Sequence, residues 1–248
     1  MGNDSQLSCA PETHADPLAA AVGRLASVGL LAIPPADLSK ALGVAADVWV
    51  QFSAHWENLV PDGYAAELGL RRLRRYGRYS FVDGVATPMP NNVFIQPQNS
   101  NPLYIDRDRR FEPLTKEFAD DPLLIRLLTL LGRFADVLDD VPAWVVKVHP
   151  FRVIAFADGE GQPTPEGLHR DGVTLVTSLL IRRSNALGGE SSVFDLTGHH
   201  LLTTTLAESG TLLLGDDRRA VHGVSPIRPA DPGEPALRDV LVITFAPL

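Results

Sequence analysis

Apolar positions along this chain change rhythm near its middle. In the first half they recur at helical spacing. Asp16-Pro17 supplies a cap and a first-turn proline for a helix running from Leu18 toward Leu30. Pro34-Pro35 interrupts, and a second helical stretch is expected over Ala45 to Leu59. The clearest helix opens at Asp121-Pro122, with Leu124, Leu127, Leu128, Leu131, Ala135 and Leu138 on one stripe suited to packing on a sheet. From Trp144 onward the period shortens. Runs of strand character occupy Trp144–Val148, Arg152–Phe156, Val173–Ile181, Ser192–Asp195, Leu201–Leu206, Thr211–Leu214, Ala220–Val224 and Val240–Phe245. Asp158-Gly159, Gly188-Gly189, Ser209-Gly210 and Gly215-Asp216 mark the turns between them.

This texture predicts an α+β, mainly β protein: a double-stranded β-helix (jelly-roll, cupin-like) core buttressed by N-terminal helices. The expected layout is a polar, mobile leader over 1–15 and one domain over 16–248, with a helical front at 16–140 and a β core at 141–248. Arg71, Arg72, Arg74, Arg75 and Arg78 crowd the front and read as a solvated face, the usual fate of a charge run.

The formal charge of −8 argues against a nucleic-acid partner. No apolar run reaches the roughly 18 residues that span a bilayer, so no membrane partner is expected. The N-terminus lacks a basic stretch followed by an apolar one, hence no signal peptide. Cys9 is the only cysteine and excludes an intrachain disulfide; a cytoplasmic enzyme is the expectation.

Candidate chemistry centres on His169-Arg170-Asp171 and a distant His222. Two imidazoles and one carboxylate can cap one face of a divalent metal and leave positions open, as in non-haem Fe(II) oxygenases. A strand from His169 to Ile181 would turn His169 and Asp171 to one face and Arg170 to the other. The same parity through Val173, Leu175, Leu179 and Ile181 would put the ligands on the buried side. His199 and His200 are rivals to His222, but as neighbours they would face opposite ways. His14, His55 and His149 have no partner at ligand spacing and read as surface or structural residues. Gly188-Gly189 reads as a hairpin, and Glu190 as a turn or substrate residue.

The ordered motifs Pro165-Glu166-Gly167-Leu168-His169-Arg170-Asp171-Gly172, Gly188-Gly189-Glu190-Ser191, His222-Gly223-Val224-Ser225-Pro226 and Arg238-Asp239-Val240-Leu241 resemble the 2-oxoglutarate- and Fe(II)-dependent dioxygenases that include the bacterial L-isoleucine 4-hydroxylases. The resemblance is dense from about Phe151 to Phe245. It is looser upstream, at Gln98, Asn99, Asn101 and Arg110-Phe111-Glu112-Pro113-Leu114. It implies Fe(II) on His169, Asp171 and His222, 2-oxoglutarate and O2 as co-substrates, a small-molecule substrate, and succinate and carbon dioxide as co-products. Asp171 is present where related halogenases lack the carboxylate, which favours hydroxylation.

A guanidinium presents two parallel donors to a carboxylate. Arg238, at the start of the final strand, is the candidate for the distal carboxylate of 2-oxoglutarate; its competing role is a surface pair with Asp239. Arg228 is the runner-up, set among prolines. The substrate implied by the resemblance is a free aliphatic L-amino acid of leucine, isoleucine or methionine type. Arg152 or Arg170 would bind its carboxylate, Arg152 being preferred by strand parity; the competing role of Arg152 is a salt bridge on a sheet face. Asp158, Glu160 or Glu166 would accept from its ammonium. Phe94, Tyr104 and Phe156 would form the apolar wall, under a loop over Gln96–Tyr104. Two other classes share parts of this pattern: a non-oxidative cupin isomerase or epimerase, disfavoured because no H-x-H with a following Glu is present, and a catalytically silent β-sandwich, disfavoured by the intact triad.

Overall fold

Asp121 and Pro122 start the longest helix as the sequence predicts: the Asp121 carboxylate accepts from Leu123 N at 2.8 Å and so satisfies one donor of the first turn. This computed structural model describes residues 17–90 and 109–248. The leader at 1–15, His14, and the Gln96–Tyr104 stretch with Phe94 and Tyr104 lie outside the described residues.

The helices are α1 (Pro17–Val28), α2 (Pro35–Leu42), α3 (Ala46–Ser53), α4 (Gly63–Ala66), α5 (Lys116–Ala119) and α6 (Pro122–Leu138), with a 3-10 turn at Ala54–Asn58. The front strands are β1 (Leu30–Ile33), β2 (Val60–Pro61), β3 (Arg72–Arg74), β4 (Gly77–Val82) and β5 (Val85–Pro88). The remaining strands are β6 (Trp144–Ala155), β7 (Leu175–Ser184), β8 (Ala186–Gly188), β9 (Glu190–Asp195), β10 (His200–Thr205), β11 (Leu212–Asp216), β12 (Ala220–Val224), β13 (Ile227–Pro229) and β14 (Ala236–Pro247). A large sheet runs β1-β11-β7-β14-β6-β3-β2, with β4 also bonded to β6 and β5 to β4. A smaller sheet runs β10-β9-β12, and β13 pairs with β8. Side chains from both sheets line one cavity, Val153 and Val240 from the large one and Ser191, Val193 and His222 from the small one. This is the expected jelly-roll arrangement.

The two faces of the large sheet divide the labour. Val146, Val148, Leu241, Ile243 and Phe245 join Leu124, Leu127, Leu128 and Leu131 of α6 in the main core. Each such side chain contributes about 1.5–3 kcal/mol on burial. Gly132 permits the close approach of helix and sheet, since a Cβ there would lie 2.1 Å from Cζ of Phe81. On the opposite face Phe151, Val153, Val240 and Val242 line the cavity.

Several expectations need correction. The front is not purely helical, because β1 to β5 pair into the large sheet. Gly29, at φ 78°, ends α1 at Val28 and turns the chain into β1, where a continuous helix to Leu30 was expected. The helical stretch over Ala45–Leu59 divides into α3 and the 3-10 turn. The two runs around Pro150 are one strand. Pro150 falls where the edge partner of β6 changes from β4 to β3, so its missing N–H interrupts no ladder on that side. The arginine run is not a solvated face: Arg74 is buried, Arg72 pairs with buried Asp62 at 2.8 Å, and Arg75 donates to Asn58 O and Pro113 O. Among the described residues no helix is long and apolar enough to cross a membrane.

Candidate metal centre and co-substrate cavity

His169 and His222 come from segments far apart in the chain and meet through their backbones. Each N–H donates to the other's carbonyl at 2.9 Å, an isolated antiparallel bridge that sets the rings 4.6 Å apart between centroids. His222 lies on β12. His169 and Asp171 do not lie on β7, which begins only at Leu175. Gly172, at φ 73°, breaks the extended conformation, a backbone state natural to glycine. The alternation expected from His169 to Ile181 therefore fails: Leu175, Leu179 and Ile181 enter the helix-side core, while His169 and Asp171 line the cavity.

The ligand atoms of His169, Asp171 and His222 all lie within 4.8 Å of one another, and Asp171 Oδ2 is 3.4 Å from His222 Nε2. The Nδ1 of His169 sits 3.0 Å from Gly167 O. A carbonyl there requires the proton on Nδ1 and leaves the Nε2 of the neutral ring unprotonated, with its lone pair open to a metal. Burial, the largest influence on Asp171, favours its neutral form; the hydrogen bond and charge of His222, with the charge of His169, outweigh it and hold the carboxyl at about 2. Burial likewise opposes the charged form of His222, and Asp171 overcomes it, so the imidazole is raised above its ordinary value. Two imidazoles and an ionised carboxylate on one side of a cavity suit a divalent metal with open positions.

The cavity holds about 170 Å³. Arg238 lines it, is 1% exposed, and keeps Nε and Nη2 buried with no hydrogen-bond partner among the described residues. Burial, followed by the charge of Arg183, pushes this guanidinium down to about 10. An orphaned buried guanidinium is costly unless an anion completes it. Val153 opposes Arg238 across β6 and β14, and Arg72 opposes Val153 across β3 and β6. Arg72 and Arg238 thus line one cavity from strands two apart, on the order of 10 Å by strand spacing.

A model of the 2OG-Fe dioxygenase family matches residues 53–244. The chain belongs to this family. Its members use Fe(II), 2-oxoglutarate and O2, and the donor set found here fits that metal. The chain is 25% identical over 203 residues to a 3(1)-hydroxy-L-isoleucine 4-dioxygenase of Pantoea ananatis, covering 77% of each chain. The crystal structure of a bsmA homolog from Methylobium petroleophilum is 35% identical with a TM-score of 0.85, covering 93% of both chains. The structure of IDO from Bacillus thuringiensis, 20% identical with a TM-score of 0.76 over 98% of this chain and 99% of that one, shares the fold.

Within this dioxygenase the other predicted residues separate clearly. Glu166 lines the cavity, with Oε1 3.5 Å from His169 Nε2. Arg152 does not line it. Its neighbours Phe151 and Val153 face the cavity, and Arg152 faces the helices, where Asp239 (2.8 Å) and Glu57 (2.9 Å) bind it. Phe156 is 43% exposed under the guanidinium of Arg71, Asp158 pairs with Arg71 at the surface, and Glu160 is exposed. These three are outside the cavity, because the chain leaves β6 at Ala155. Arg170 is not among the lining residues, and Arg228 is exposed on β13. His199 and His200 are exposed and bonded to Asp195 and Thr203, His55 bonds Asp121, and His149 accepts Arg74. Glu190 is exposed. Gly188 serves the β8–β13 contact, where a Cβ would lie 2.1 Å from Pro226 O.

Two residues escaped the sequence reading. Arg72 was absorbed into the arginine run. Asp217 was passed over beside the Gly215-Asp216 turn signal, yet it is 2% exposed and lines the cavity. A second acid directly after a turn Asp was the only available hint.

Proposed function

We propose that this protein is an Fe(II)- and 2-oxoglutarate-dependent hydroxylase of a free aliphatic L-amino acid of leucine, isoleucine or methionine type, acting in the cytoplasm as one domain over 16–248. The observation that carries the reading is that a His/Asp/His cluster lines the same cavity as a buried guanidinium, Arg238, two of whose nitrogens lack partners among the described residues. His169, Asp171 and His222 would hold the iron, and Arg238 would take the distal carboxylate of 2-oxoglutarate through two parallel N–H donors. The metal supplies the oxidative chemistry: one oxygen atom of O2 enters a substrate C–H bond, the other enters succinate, and the co-substrate loses carbon dioxide.

The chain's own residues define what fits beside it. A free amino acid carries a carboxylate and an ammonium; apart from the ligand Asp171, Arg238, and Asp216 and Asp217, which bond within the protein, the cavity wall offers Arg72 and Glu166. Asp62 holds the Arg72 guanidinium at 2.8 Å, so it is presented in a fixed direction. Arg72 takes the carboxylate role in place of Arg152, and Glu166 accepts from the ammonium. Val176, Val193, Val240 and Val242 give an apolar surround for an aliphatic side chain. The amino-acid substrate is further supported by the name of the Pantoea relative.

The test is a panel of free amino acids with Fe(II), 2-oxoglutarate and air, read by mass spectrometry for one added oxygen and by succinate release. Leucine, isoleucine or methionine should gain one oxygen with one succinate formed. Oxygen insertion only into peptide or carrier-bound substrates would overturn the substrate class and leave the reaction standing.

A further inference from the structure

We infer that Asp217 is the positioning residue of the metal centre, setting the H-x-D loop and His222 in a metal-ready arrangement before any ion arrives. The inference rests on His169, Asp171 and His222 being the iron ligands. Asp217 lies in the turn between β11 and β12, just ahead of the strand that carries His222, and its side chain reaches the loop that carries Asp171. Its Oδ1 accepts from Asp171 N at 3.0 Å, and its Oδ2 accepts from Gly172 N at 2.7 Å and Val173 N at 3.1 Å. Three consecutive backbone donors converge on one carboxylate. In return the Asp217 N–H donates to Thr174 O at 3.1 Å. Oδ1 also lies 3.8 Å from His222 Nδ1, on the side of the ring away from Asp171, whose Oδ2 approaches Nε2.

Each contact bears on a ligand. The loop 171–173 has left the strand conformation, so no ladder bonds fix it, and Gly172 adds freedom that an unfastened loop would use. The carboxylate replaces the missing ladder and fixes the backbone from which Asp171 projects. At His222 the same negative group stands behind Nδ1 and favours the tautomer with its proton there, leaving Nε2 for metal. His169 is set the same way by Gly167 O, a backbone acceptor that no substitution can remove. The Asp217 side chain thus bears on two ligands at once, fastening the backbone that carries Asp171 and standing behind Nδ1 of His222. It touches neither ion nor substrate in this role. Its burial is costly for a carboxylate; a surface loop could be tied by a neutral side chain, whereas three donors and an imidazole call for charge.

The experiment uses Co(II) as a spectroscopic stand-in for Fe(II), titrated anaerobically into the full-length protein and into Asp217→Asn and Asp217→Ala, with visible absorption read alongside thermal unfolding of the metal-free forms. Loss of an outer partner of this kind weakens metal binding about 10- to 100-fold. We expect Asp217→Asn to show that loss, Asp217→Ala a larger one, and both to keep the unliganded melting cooperative. A purely structural carboxylate would lower the melting temperature and leave the Co(II) dissociation constant of the folded protein unchanged; that result overturns the inference. Should neither variant fold, amide exchange on the unaltered protein decides. Asp171, Gly172 and Val173 should be protected without metal, and exchange there as fast as in exposed loops would refute a preset loop. His222→Ala separates the two levels: wild-type-like Co(II) binding in that variant removes the ligand assignment itself, whereas its loss of binding beside an unaffected Asp217→Asn removes only the role of Asp217.

Discussion

Arg238 and Asp239 are adjacent on β14 and serve opposite faces of the same sheet. Arg238 turns into the cavity and keeps two nitrogens without partners among the described residues. Asp239 turns toward the helices, where it binds Arg152 and Arg182. The competing reading of Arg238, a pair with its neighbour, is excluded by the alternation of the strand. A buried cation left open beside a His/Asp/His cluster predicts a strong dependence of co-substrate binding on this residue. Arg238→Ala should raise the apparent Michaelis constant for 2-oxoglutarate on the order of 100-fold, since truncating one partner of a buried charge pair costs about 2–5 kcal/mol. Arg238→Met should in addition raise the melting temperature of the ligand-free protein, because an uncompensated buried charge is replaced by an apolar chain. Steady-state kinetics against 2-oxoglutarate and calorimetry without ligand check both halves.

The neighbouring network behaves differently. Arg152 is shared by Asp239 and Glu57, which joins the 3-10 turn to β6 and β14. Asp239→Ala leaves a buried guanidinium half satisfied, and removal of one partner of a buried pair costs about 3–5 kcal/mol. Glu57 is mostly exposed and still available, so the lower end is expected. The chemical denaturation midpoint should fall with little change in the Michaelis constant for 2-oxoglutarate. A large rise in that constant at wild-type stability would mean that the two faces are not separate.

These two residues also show what a sequence can and cannot disclose. The α6 stripe, its Asp121 cap and the exact span of β12 were readable because short-range period and capping chemistry determine them. The H-x-D pair with a distal histidine was readable because donor types are unusual at that spacing. Strand β3, by contrast, is three residues with two arginines, and no local signal reveals that it completes a sheet. Strand parity favours Arg152 for the substrate only by turning Arg170 away, with a sheet-face salt bridge as its rival role; the salt bridge is what forms, and its partner Glu57 lies 95 positions away. Asp217 reads as turn chemistry until the loop it fastens, over 40 positions upstream, is seen beside it.

Metal should stabilise this protein measurably. Binding at a hundredfold excess over the dissociation constant adds about 2.7 kcal/mol to the folded state. Co(II) or anaerobic Fe(II) should therefore raise the melting temperature by several degrees. His169→Ala, Asp171→Ala and His222→Ala should each abolish that gain and succinate formation while keeping a cooperative transition. A gain retained in any of them, seen by differential scanning fluorimetry, would place the ion elsewhere.

The gain should depend on pH in a stated direction. In the metal-free protein the raised imidazole of His222 pairs with Asp171. That contribution is complete below the ordinary value of 6.5 and lost as pH rises through the raised one. Metal needs the neutral ring, so ion and proton compete. Asp171, held at about 2, stays ionised across the window and adds no slope. The temperature gain from Co(II) should be small near pH 6 and larger at pH 8. Equal gains at both would show that His222 carries no proton to displace.

Arg72 and Glu166 give the sharpest test of the substrate class. If Arg72 binds the amino-acid carboxylate, Arg72→Leu loses a charge-assisted bond worth about 1.5–3 kcal/mol, and the Michaelis constant for the amino acid should rise roughly 10- to 100-fold. The constant for 2-oxoglutarate should change little, because Arg238 remains. Arg72→Lys retains the charge that Asp62 requires and controls for lost stability, yet it lacks the planar fork and should recover only part of the affinity. Glu166→Gln should instead weaken selection for the ammonium, so that the desamino analogue of the best substrate loses less ground than in the parent enzyme. Carboxamide and free-acid forms of that substrate should differ strongly in the parent and hardly at all in Arg72→Leu. Persistence of the full preference in Arg72→Leu would assign the carboxylate to another cation and remove Arg72 from the substrate site.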